Sequence, residues 1–255
     1  MEPTKLGPLE GFHAIESLGV ELEGHWEWSR DCEDCYDGCL CGLPDGIKED
    51  GSVHADSDDY AGEIASHVFR GSRGWTQFVN WAQDVHPDRV DQNCGLHFHV
   101  GMKSELWHKH CFGYGLNENV ARSMASVSLD DTTREWLHSR IETGRSTDDA
   151  GAWCKVRPPW QRYHDAREDG DRYYRINPCS YRRFQTLEVR LAPMGLDARE
   201  SIALVHAGAT AVDRWIVNGG EPRHVRVAAP AGITTIGQRQ RRSSTGEILI
   251  NVDRC

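Results

Sequence analysis

The chain has 255 residues, of which 38% are hydrophobic and 27% are charged, and its formal net charge is −10 at pH 7. This composition is typical of one globular domain over 1–255 with a real hydrophobic core, and it excludes a disordered chain. The negative charge argues against general affinity for nucleic acid, and no stretch approaches the roughly 20 apolar residues that span a bilayer. Residues 1–16 lack the basic-then-apolar order of a signal peptide, so we expect a cytoplasmic protein without membrane association.

The first half of the chain is predicted to form strands around one helix. Period-two alternation or short apolar runs predict strands over 14–24, 47–53 and 61–66. Apolar residues at three-to-four spacing between Trp75 and Val85 predict an amphipathic helix packed on the sheet. A further strand follows, over 93–100.

The second half adds helices and a pair of strands. Helices are predicted over 118–128 and 131–141, the second capped by Asp131. Strands over 171–176 and 184–192 are predicted to pair through a turn at Asn177-Pro178. A long helix is predicted to begin with a capping box of Asp197 and Glu200 and to stop at Gly219-Gly220. Alternating strands between helices predict an α+β fold: a mainly antiparallel sheet, helices behind one face, and a polar opposite face.

Three of the predicted strands carry polar residues of the same chemical kind. They are GVELE (19–23), NCGLHFHV (93–100) and TLEVRL (186–191), and in each the residues at i and i+2 project from one face. Their apolar partners would face the core. Three carboxylates, two imidazoles and a guanidinium would line the other face, as groups suited to divalent metal and phosphate: Glu21, Glu23, His97, His99, Glu188 and Arg190.

Each motif alone leaves an alternative open. Two neighbouring carboxylates in a cleft need a cation between them, and hard oxygen ligands suit Mg²⁺ or Mn²⁺, but Glu21 and Glu23 could also be solvated on an exposed strand. The His97-x-His99 pair could bind zinc or iron, or be ordinary polar strand residues. Glu188-x-Arg190 could combine a metal ligand with an arginine that binds phosphate in a bidentate manner, or be a surface ion pair of little energetic value.

The order of the motifs resembles the amidoligase branch of the glutamine synthetase and γ-glutamylcysteine synthetase superfamily. The resemblance spans about two thirds of the chain and lies in five stretches: GVELE (19–23), KEDGSV (48–53), GEIAS (62–66), NCGLHFHV (93–100) and YYRINPCSYRRFQTLEVR (173–190). It implies an ATP- and Mg²⁺-dependent carboxylate–amine ligase that acts through an acyl phosphate. The implied fold is a curved antiparallel sheet with nucleotide and metals on its concave face and helices on its convex face.

The resemblance also implies roles for individual residues. Glu21, Glu23, Glu63, His97 and Glu188 are then metal ligands, with Glu63 also a catalytic residue. His97 and His99 contact phosphate or nucleotide, and Arg190 is the catalytic, phosphate-binding arginine. Further arginines could bind phosphates or a substrate carboxylate, or be solvated charges at strand ends: Arg175 as a catalytic residue, Arg183 as a nucleotide contact, and Arg182. Asp50 and Ser52 are weaker assignments for a metal or substrate contact.

A compact cysteine cluster lies in the polar insertion over 26–46. Cys32, Cys35, Cys39 and Cys41 have spacings that can close a tetrahedral zinc site, which would anchor an insertion without a core. Free or redox-active thiols and an iron–sulfur centre are the alternatives. The remaining five cysteines are scattered, and Cys94 and Cys179 lie inside the motifs. The segment over 229–255 is predicted to be a polar, Arg-rich tail.

Two other functions remain open from the sequence. The same Glu and His residues could serve a metal-dependent hydrolase that needs no ATP, or the chain could be a non-catalytic, zinc-bearing interaction module. The ligase hypothesis calls for ATP, Mg²⁺ or Mn²⁺ and structural zinc as cofactors. Its expected partners are small-molecule or peptide carboxylates and amines, with a homo-oligomer and a separate glutaminase left open. The chain has no evident counterpart of the loops that bind glutamate or ammonium, so the substrate does not carry over from glutamine synthetase.

Overall fold

The computed structural model describes residues 7–27, 46–49, 53, 59–103, 106, 114–144, 154–155, 173–177 and 179–219. The predicted cysteine cluster at 32–41, the residues Asp50 and Ser52, and the predicted tail over 229–255 lie outside the described residues. The side chains of Arg182 and Arg183 lie outside them as well.

The strands form one seven-stranded sheet. Its order is β2-β3-β1-β5-β7-β6, with β4 paired to β1, and every pairing between these strands is antiparallel. The bounds of the strands are β1 Ile15–Glu27, β2 Ile47–Glu49, β3 Asp59–Ala65, β4 Phe69–Arg70, β5 Gly95–Met102, β6 Ile176–Asn177 and β7 Thr186–Pro193.

Four helices of 12 residues or more and one of five residues accompany the sheet in the described ranges. They are α1 Gly74–Val85, α2 Tyr114–Ala125, α3 Asp131–Thr143, α4 Ser180–Phe184 and α5 Ala198–Val217, and a 3-10 turn at Gly71–Arg73 precedes α1. The predicted α+β class with a mainly antiparallel sheet is thereby confirmed. None of the described helices is both long and apolar enough to cross a membrane.

The apolar face of the sheet is covered by helices. The apolar members of the three polar motifs are all at most 1% exposed: Val20, Leu22, Leu96, Phe98, Leu187 and Val189. Helix α5 approaches this face at Gly208, where an added Cβ would lie 2.5 Å from Phe98 Cζ and 2.5 Å from Met124 Cε on α2. A side chain there would collide with packed core, so glycine permits the close approach of helix and sheet. Each large apolar side chain buried in this layer contributes about 1.5–3 kcal/mol.

Helix α5 is capped as predicted and is tied to the first strand. The Asp197 side chain accepts a hydrogen bond from the Glu200 backbone N–H at 3.0 Å, and Gly219 follows the helix with a φ of 77°. Asp213, 4% exposed, accepts backbone N–H bonds from three consecutive residues, His13, Ala14 and Ile15, at 2.9, 2.7 and 3.2 Å. These charge-assisted bonds hold the entrance of β1 against the helix.

Two local predictions are wrong in detail. The cap of α3 is Asp130, not Asp131, because the Asp130 side chain accepts the Thr132 backbone N–H at 2.8 Å. Strands β6 and β7 pair as predicted, with Ile176 opposite Val189, but α4 stands between them where a simple turn was expected. Gln185 ends that short helix in the left-handed conformation, with a φ of 55°.

Candidate metal centre

Strand register gathers the polar residues of the motifs on one face of the sheet. Glu21 lies opposite His97, Glu23 lies opposite Glu63, and His99 lies opposite Glu188. Residues that are directly opposed in an antiparallel pair share a face, and alternation keeps i and i+2 on that face. Neighbouring strands β3, β1, β5 and β7 therefore bring distant parts of the chain together, away from the apolar core.

The carboxylate of Glu21 lies between the two imidazoles. His99 Nε2 is 3.2 Å from Glu21 Oε1, and His97 Nδ1 is 3.6 Å from Glu21 Oε2. His97 Nδ1 is also 3.5 Å from Glu23 Oε1, yet this buried nitrogen has no hydrogen-bond partner. The two His97 distances are long for hydrogen bonds but suit side chains that share a cation. Nδ1 of His97 is therefore available as a metal ligand and faces two carboxylates.

Glu23 is held by the backbone of β5. The Gly95 N–H donates to Glu23 Oε2 at 2.6 Å, and the Glu23 side chain is only 7% exposed. A Cβ on Gly95 would lie 2.7 Å from His97 Nε2 and 2.8 Å from Glu23 Oε2. Glycine at this position therefore allows the backbone to approach both site residues, as the NCG sequence before the histidines suggested.

Glu188 is held by two donors. Arg190 Nη1 donates to Glu188 Oε1 at 2.6 Å, and Asn177 Nδ2 donates to Glu188 Oε2 at 2.5 Å. Asn177 is 2% exposed, and its own side-chain oxygen accepts the Cys179 backbone N–H at 2.8 Å. The sequence predicted Asn177 only as part of a turn. Its contact with Glu188 depends on the β6–β7 register, for which the motif offered no specific signal.

A β-bulge adjusts the direction of Arg190. On β5, Leu96 pairs with Ala192 and Phe98 pairs with Val189, so Arg190 and Leu191 together oppose the single residue His97. Such bulges bend a strand locally and re-aim its side chains. From the sequence, an ion pair of Arg190 with Glu188 on the protein surface was the alternative to a metal ligand beside a phosphate-binding arginine. Here it lies on the same face as the imidazoles, with the side chains only 13% and 7% exposed.

The charges of the centre reinforce one another. Burial raises the pKa of the Glu21 carboxyl, but the imidazoles of His97 and His99 outweigh burial and hold that pKa well below its usual range. Burial lowers the pKa of His99, but Glu21 and Glu188 outweigh it and raise that pKa. Burial likewise opposes the charge of Arg190, and the carboxylate of Glu188 more than offsets it, so the pKa of Arg190 is raised. The imidazole of His99 and the guanidinium of Arg190 therefore lie against the carboxylates of Glu21 and Glu188 and offset part of their negative charge.

His99 has two further neighbours that the sequence analysis did not single out. Its Nδ1 lies 3.1 Å from Thr186 Oγ1, which fixes the ring so that Nε2 faces Glu21. The ring of Phe184 stands edge-on to the imidazole, with centroids 6.1 Å apart, and that side chain is 56% exposed. Phe184 is thus an exposed apolar side chain beside the polar centre.

The two remaining predicted residues that the structure describes have different surroundings. Glu63 is on the same face, one strand beyond Glu23. Arg175 is 2% exposed, and its guanidinium donates to the carbonyls of Cys154 at 3.3 Å, Arg140 at 3.1 Å and Ile141. These three carbonyls, two of them in the last turn of α3, engage a buried guanidinium, which favours a structural role for Arg175 over the predicted catalytic one.

Cys94 borders the centre, but its environment does not suit a nucleophile. It precedes Gly95 and is fully buried, and burial raises the pKa of its thiol to about 12. The thiolate, which is the reactive form, is therefore scarce near neutral pH. The backbone N–H of Cys179 donates to Asn177 Oδ1.

The donor set fits a divalent cation. One ligand atom each from Glu21, His99 and Glu188 lie within 4.8 Å of one another, and the unpartnered His97 Nδ1 faces the same carboxylates. Carboxylate oxygens suit Mg²⁺ and Mn²⁺, and the imidazoles make Mn²⁺ the more favourable of the two. No family model, curated protein or solved structure matches the chain.

Proposed function

We propose that the chain is an ATP- and Mg²⁺- or Mn²⁺-dependent carboxylate–amine ligase with a glutamine-synthetase-like catalytic fold. One observation carries the proposal: acidic, imidazole and guanidinium groups of β1, β5 and β7 meet on one face of an antiparallel sheet. The opposite face is the hydrophobic core, so the fold has no packing need for this cluster. Chemistry that brings several negative charges together gives it a use.

Amide formation from a carboxylate requires an activated acyl group. In the proposed reaction a substrate carboxylate oxygen attacks the terminal phosphorus of ATP and ADP leaves, which forms an acyl phosphate. The amine then attacks the carbonyl carbon, phosphate leaves, and the amine nitrogen loses a proton. Both steps crowd anionic oxygens together, so positioning and electrostatic stabilisation supply most of the rate enhancement.

The residues of the centre divide these tasks. Glu21, His99 and Glu188 would hold the cation, with His97 and Glu23 beside them and Glu63 at the outer edge of the face. Bound there, Mg²⁺ or Mn²⁺ supplies positive charge against the phosphates of the nucleotide. Arg190 offers its guanidinium to the transferring phosphate, while Asn177 and Arg190 hold Glu188 in place. Phe184, exposed next to His99, provides an apolar edge for the nucleotide.

A metal-dependent hydrolase is the second candidate, and the imidazoles favour it. A ligand set of one histidine and two carboxylates, with a second histidine beside it, also suits a cation that activates water. This reaction needs neither ATP nor an amine. The third hypothesis, a zinc-bearing interaction module, depends on the cysteine cluster outside the described residues and leaves the buried centre without a role.

The product of ATP cleavage tests the proposal. The full chain is incubated with ATP, Mg²⁺ or Mn²⁺ and a panel of acids and amines, while ADP, AMP and phosphate are measured. Formation of ADP and phosphate that requires both an acid and an amine supports the ligase. AMP formation contradicts it. Hydrolysis of the corresponding amides in the absence of ATP supports the hydrolase. Glu21→Gln should abolish the activity, whereas Glu27→Gln, an exposed glutamate at the end of the same strand, should not.

A further inference from the structure

A second cluster of metal-ligating side chains lies beside the candidate metal centre. His25 on β1 is two residues beyond Glu23, and Asp91 and Cys94 lie in the segment that links α1 to β5. One ligand atom from each of the three lies within 4.8 Å of the others. His25 Nε2 is 3.3 Å from Asp91 Oδ2, and Cys94 Sγ is 3.7 Å from Asp91 Oδ1.

The order of these contacts argues against a cysteine nucleophile. Asp91 lies between the other two residues, so the imidazole of His25 is not hydrogen-bonded to the thiol and cannot take its proton directly. Nucleophilic cysteines need such a base or an electropositive, accessible setting. Cys94 is 0% exposed and His25 is 1% exposed, so a substrate carbonyl could not reach the sulfur.

We propose that His25, Asp91 and Cys94 form a second metal site, and that its cation is thiophilic, with Zn²⁺ the best fit. Sulfur, imidazole nitrogen and carboxylate oxygen are the three ligand types that zinc accepts together. The cation replaces the thiol proton, which is released to solvent. The Asp91 side chain is 40% exposed, so the cation and a water at the fourth position can enter from that side.

The neighbouring backbone supports a thiolate ligand. The Asp91 N–H points at Cys94 Sγ at 3.4 Å, and the Asn93 N–H donates to Asp91 Oδ1 at 2.7 Å. Hydrogen bonds of this kind orient the ligands of a metal site and tune their basicity. Arg89 acts in the opposite sense, because its Nη2 lies 3.5 Å from His25 Nδ1. When Nε2 binds the cation the ring proton resides on Nδ1, so the Arg89 side chain must turn away.

The role of this site would be structural. Backbone hydrogen bonds of 2.9 and 3.1 Å already pair His25 with Arg89, and the Cys94 carbonyl accepts the Met194 N–H at 3.0 Å. A cation would join β1 to the segment before β5, whose Gly95 N–H holds Glu23. The inference does not depend on the proposed ligase reaction, because a structural zinc ion here would stabilise the neighbouring centre whatever reaction that centre catalyses.

Cobalt binding tests the inference, because Co²⁺ bound to a thiolate gives a near-ultraviolet charge-transfer band that Mg²⁺ sites do not give. The full chain carrying Cys32→Ser, Cys35→Ser, Cys39→Ser and Cys41→Ser removes the thiolates of the other predicted zinc site. We expect this background to bind one equivalent of Co²⁺ with the thiolate band. Adding Cys94→Ser should abolish the band, and adding Cys154→Ser, another buried cysteine, should leave it. Asp91→Asn should weaken binding about tenfold or more, and Arg89→Ala should not weaken it.

Zinc content provides the second measurement, made on the otherwise unaltered chain. Cys94→Ser should lower the bound zinc by one equivalent, and Asp91→Asn, with its half-exposed side chain, gives the same readout if the cysteine variant does not fold. A thiolate band that survives Cys94→Ser, or zinc content that neither variant lowers, overturns the inference. Glu21→Gln should leave the band unchanged while it removes ligase activity, so failure of the ligase proposal and failure of this site are distinguishable.

Discussion

His99 Nε2 lies 3.2 Å from Glu21 Oε1, although 78 residues separate the two in sequence. The contact follows from the antiparallel pairing of β1 and β5, in which His99 is opposite Gly19, two positions from Glu21. Thr186 on β7 holds the other ring nitrogen. Three strands therefore determine which nitrogen of this histidine faces the carboxylates.

The first prediction concerns the pH dependence of metal binding. The pKa of His99 is raised, so its imidazole is protonated in the metal-free protein up to a pH above that of an ordinary histidine. A cation must displace that proton. Affinity for Mn²⁺ should therefore rise with pH, by at most about tenfold per unit, until the pH passes the raised pKa of His99, and should then level off. Isothermal titration with Mn²⁺ between acidic and alkaline pH measures this.

The matched variant for this prediction is His99→Gln. It keeps a polar side chain that can reach Glu21 but removes the titrating group, so the steep part of the profile should flatten even where affinity falls. An unaltered profile in the variant, or a wild-type affinity that falls as pH rises, would show that His99 is not displaced by the cation.

The second prediction compares two glycines on the site-facing strands. A Cβ at Gly95 would lie within 2.8 Å of both His97 Nε2 and Glu23 Oε2, whereas at Gly19 the nearest atom is His99 Cβ at 3.8 Å, an ordinary contact. Gly95→Ala should displace both side chains and reduce Mn²⁺ affinity by about tenfold or more, and Gly19→Ala should change it little. Equal losses in the two variants would argue against the close approach of Gly95 to the ligands.

The third prediction concerns Asn177. Asn177→Ala removes the donor to Glu188 Oε2 and the acceptor of the Cys179 N–H, and both groups are buried or half-buried. The free energy of unfolding should fall by about 1–3 kcal/mol, and metal affinity should fall with it. Urea denaturation measures the first quantity. In a double-mutant cycle with Glu188→Gln the two effects should be strongly non-additive; simple additivity would mean that Asn177 does not act through Glu188.

The fourth prediction separates Arg175 from Arg190. Arg175→Met removes hydrogen bonds to three backbone carbonyls near the end of α3 and should lower the free energy of unfolding by about 2 kcal/mol or more. Nucleotide affinity per folded molecule should persist. Arg190→Met should instead weaken nucleotide binding and lower the free energy of unfolding less than Arg175→Met does. Loss of nucleotide binding in Arg175→Met with an unchanged melting temperature would restore a direct binding role for that arginine.

The faces of the sheet could be predicted because alternation is local. Glu21, His97 and Glu188 share a face with their i+2 partners whatever the rest of the chain does, and the buried apolar partners confirm this reading. The capping of α5 by Asp197 is local for the same reason. Asp130 and Asp131 could not be separated, because adjacent aspartates satisfy the same capping pattern.

The contacts that depend on register could not be predicted. Asn177 reaches Glu188, and Arg175 reaches the carbonyls of Arg140 and Cys154, only through the pairing of β6 and the packing of α3. The bulge at Arg190 likewise depends on how two strands meet. Arg175 and Arg190 both lie in the motif over 173–190, and the sequence assigns a catalytic role to each. Only their burial and hydrogen-bond partners distinguish a structural arginine from one that lines the centre.

The central claim is that this face binds a metal–nucleotide complex. Calorimetric titration with a non-hydrolysable ATP analogue at saturating Mn²⁺ tests it most directly. The wild-type chain should bind the analogue at one site, and Glu21→Gln and Arg190→Gln should each weaken binding by about tenfold or more. The exposed controls Glu27→Gln and Arg199→Gln should bind as the wild type does. Absence of binding by the wild type, or equal affinity in all four variants, would contradict the account.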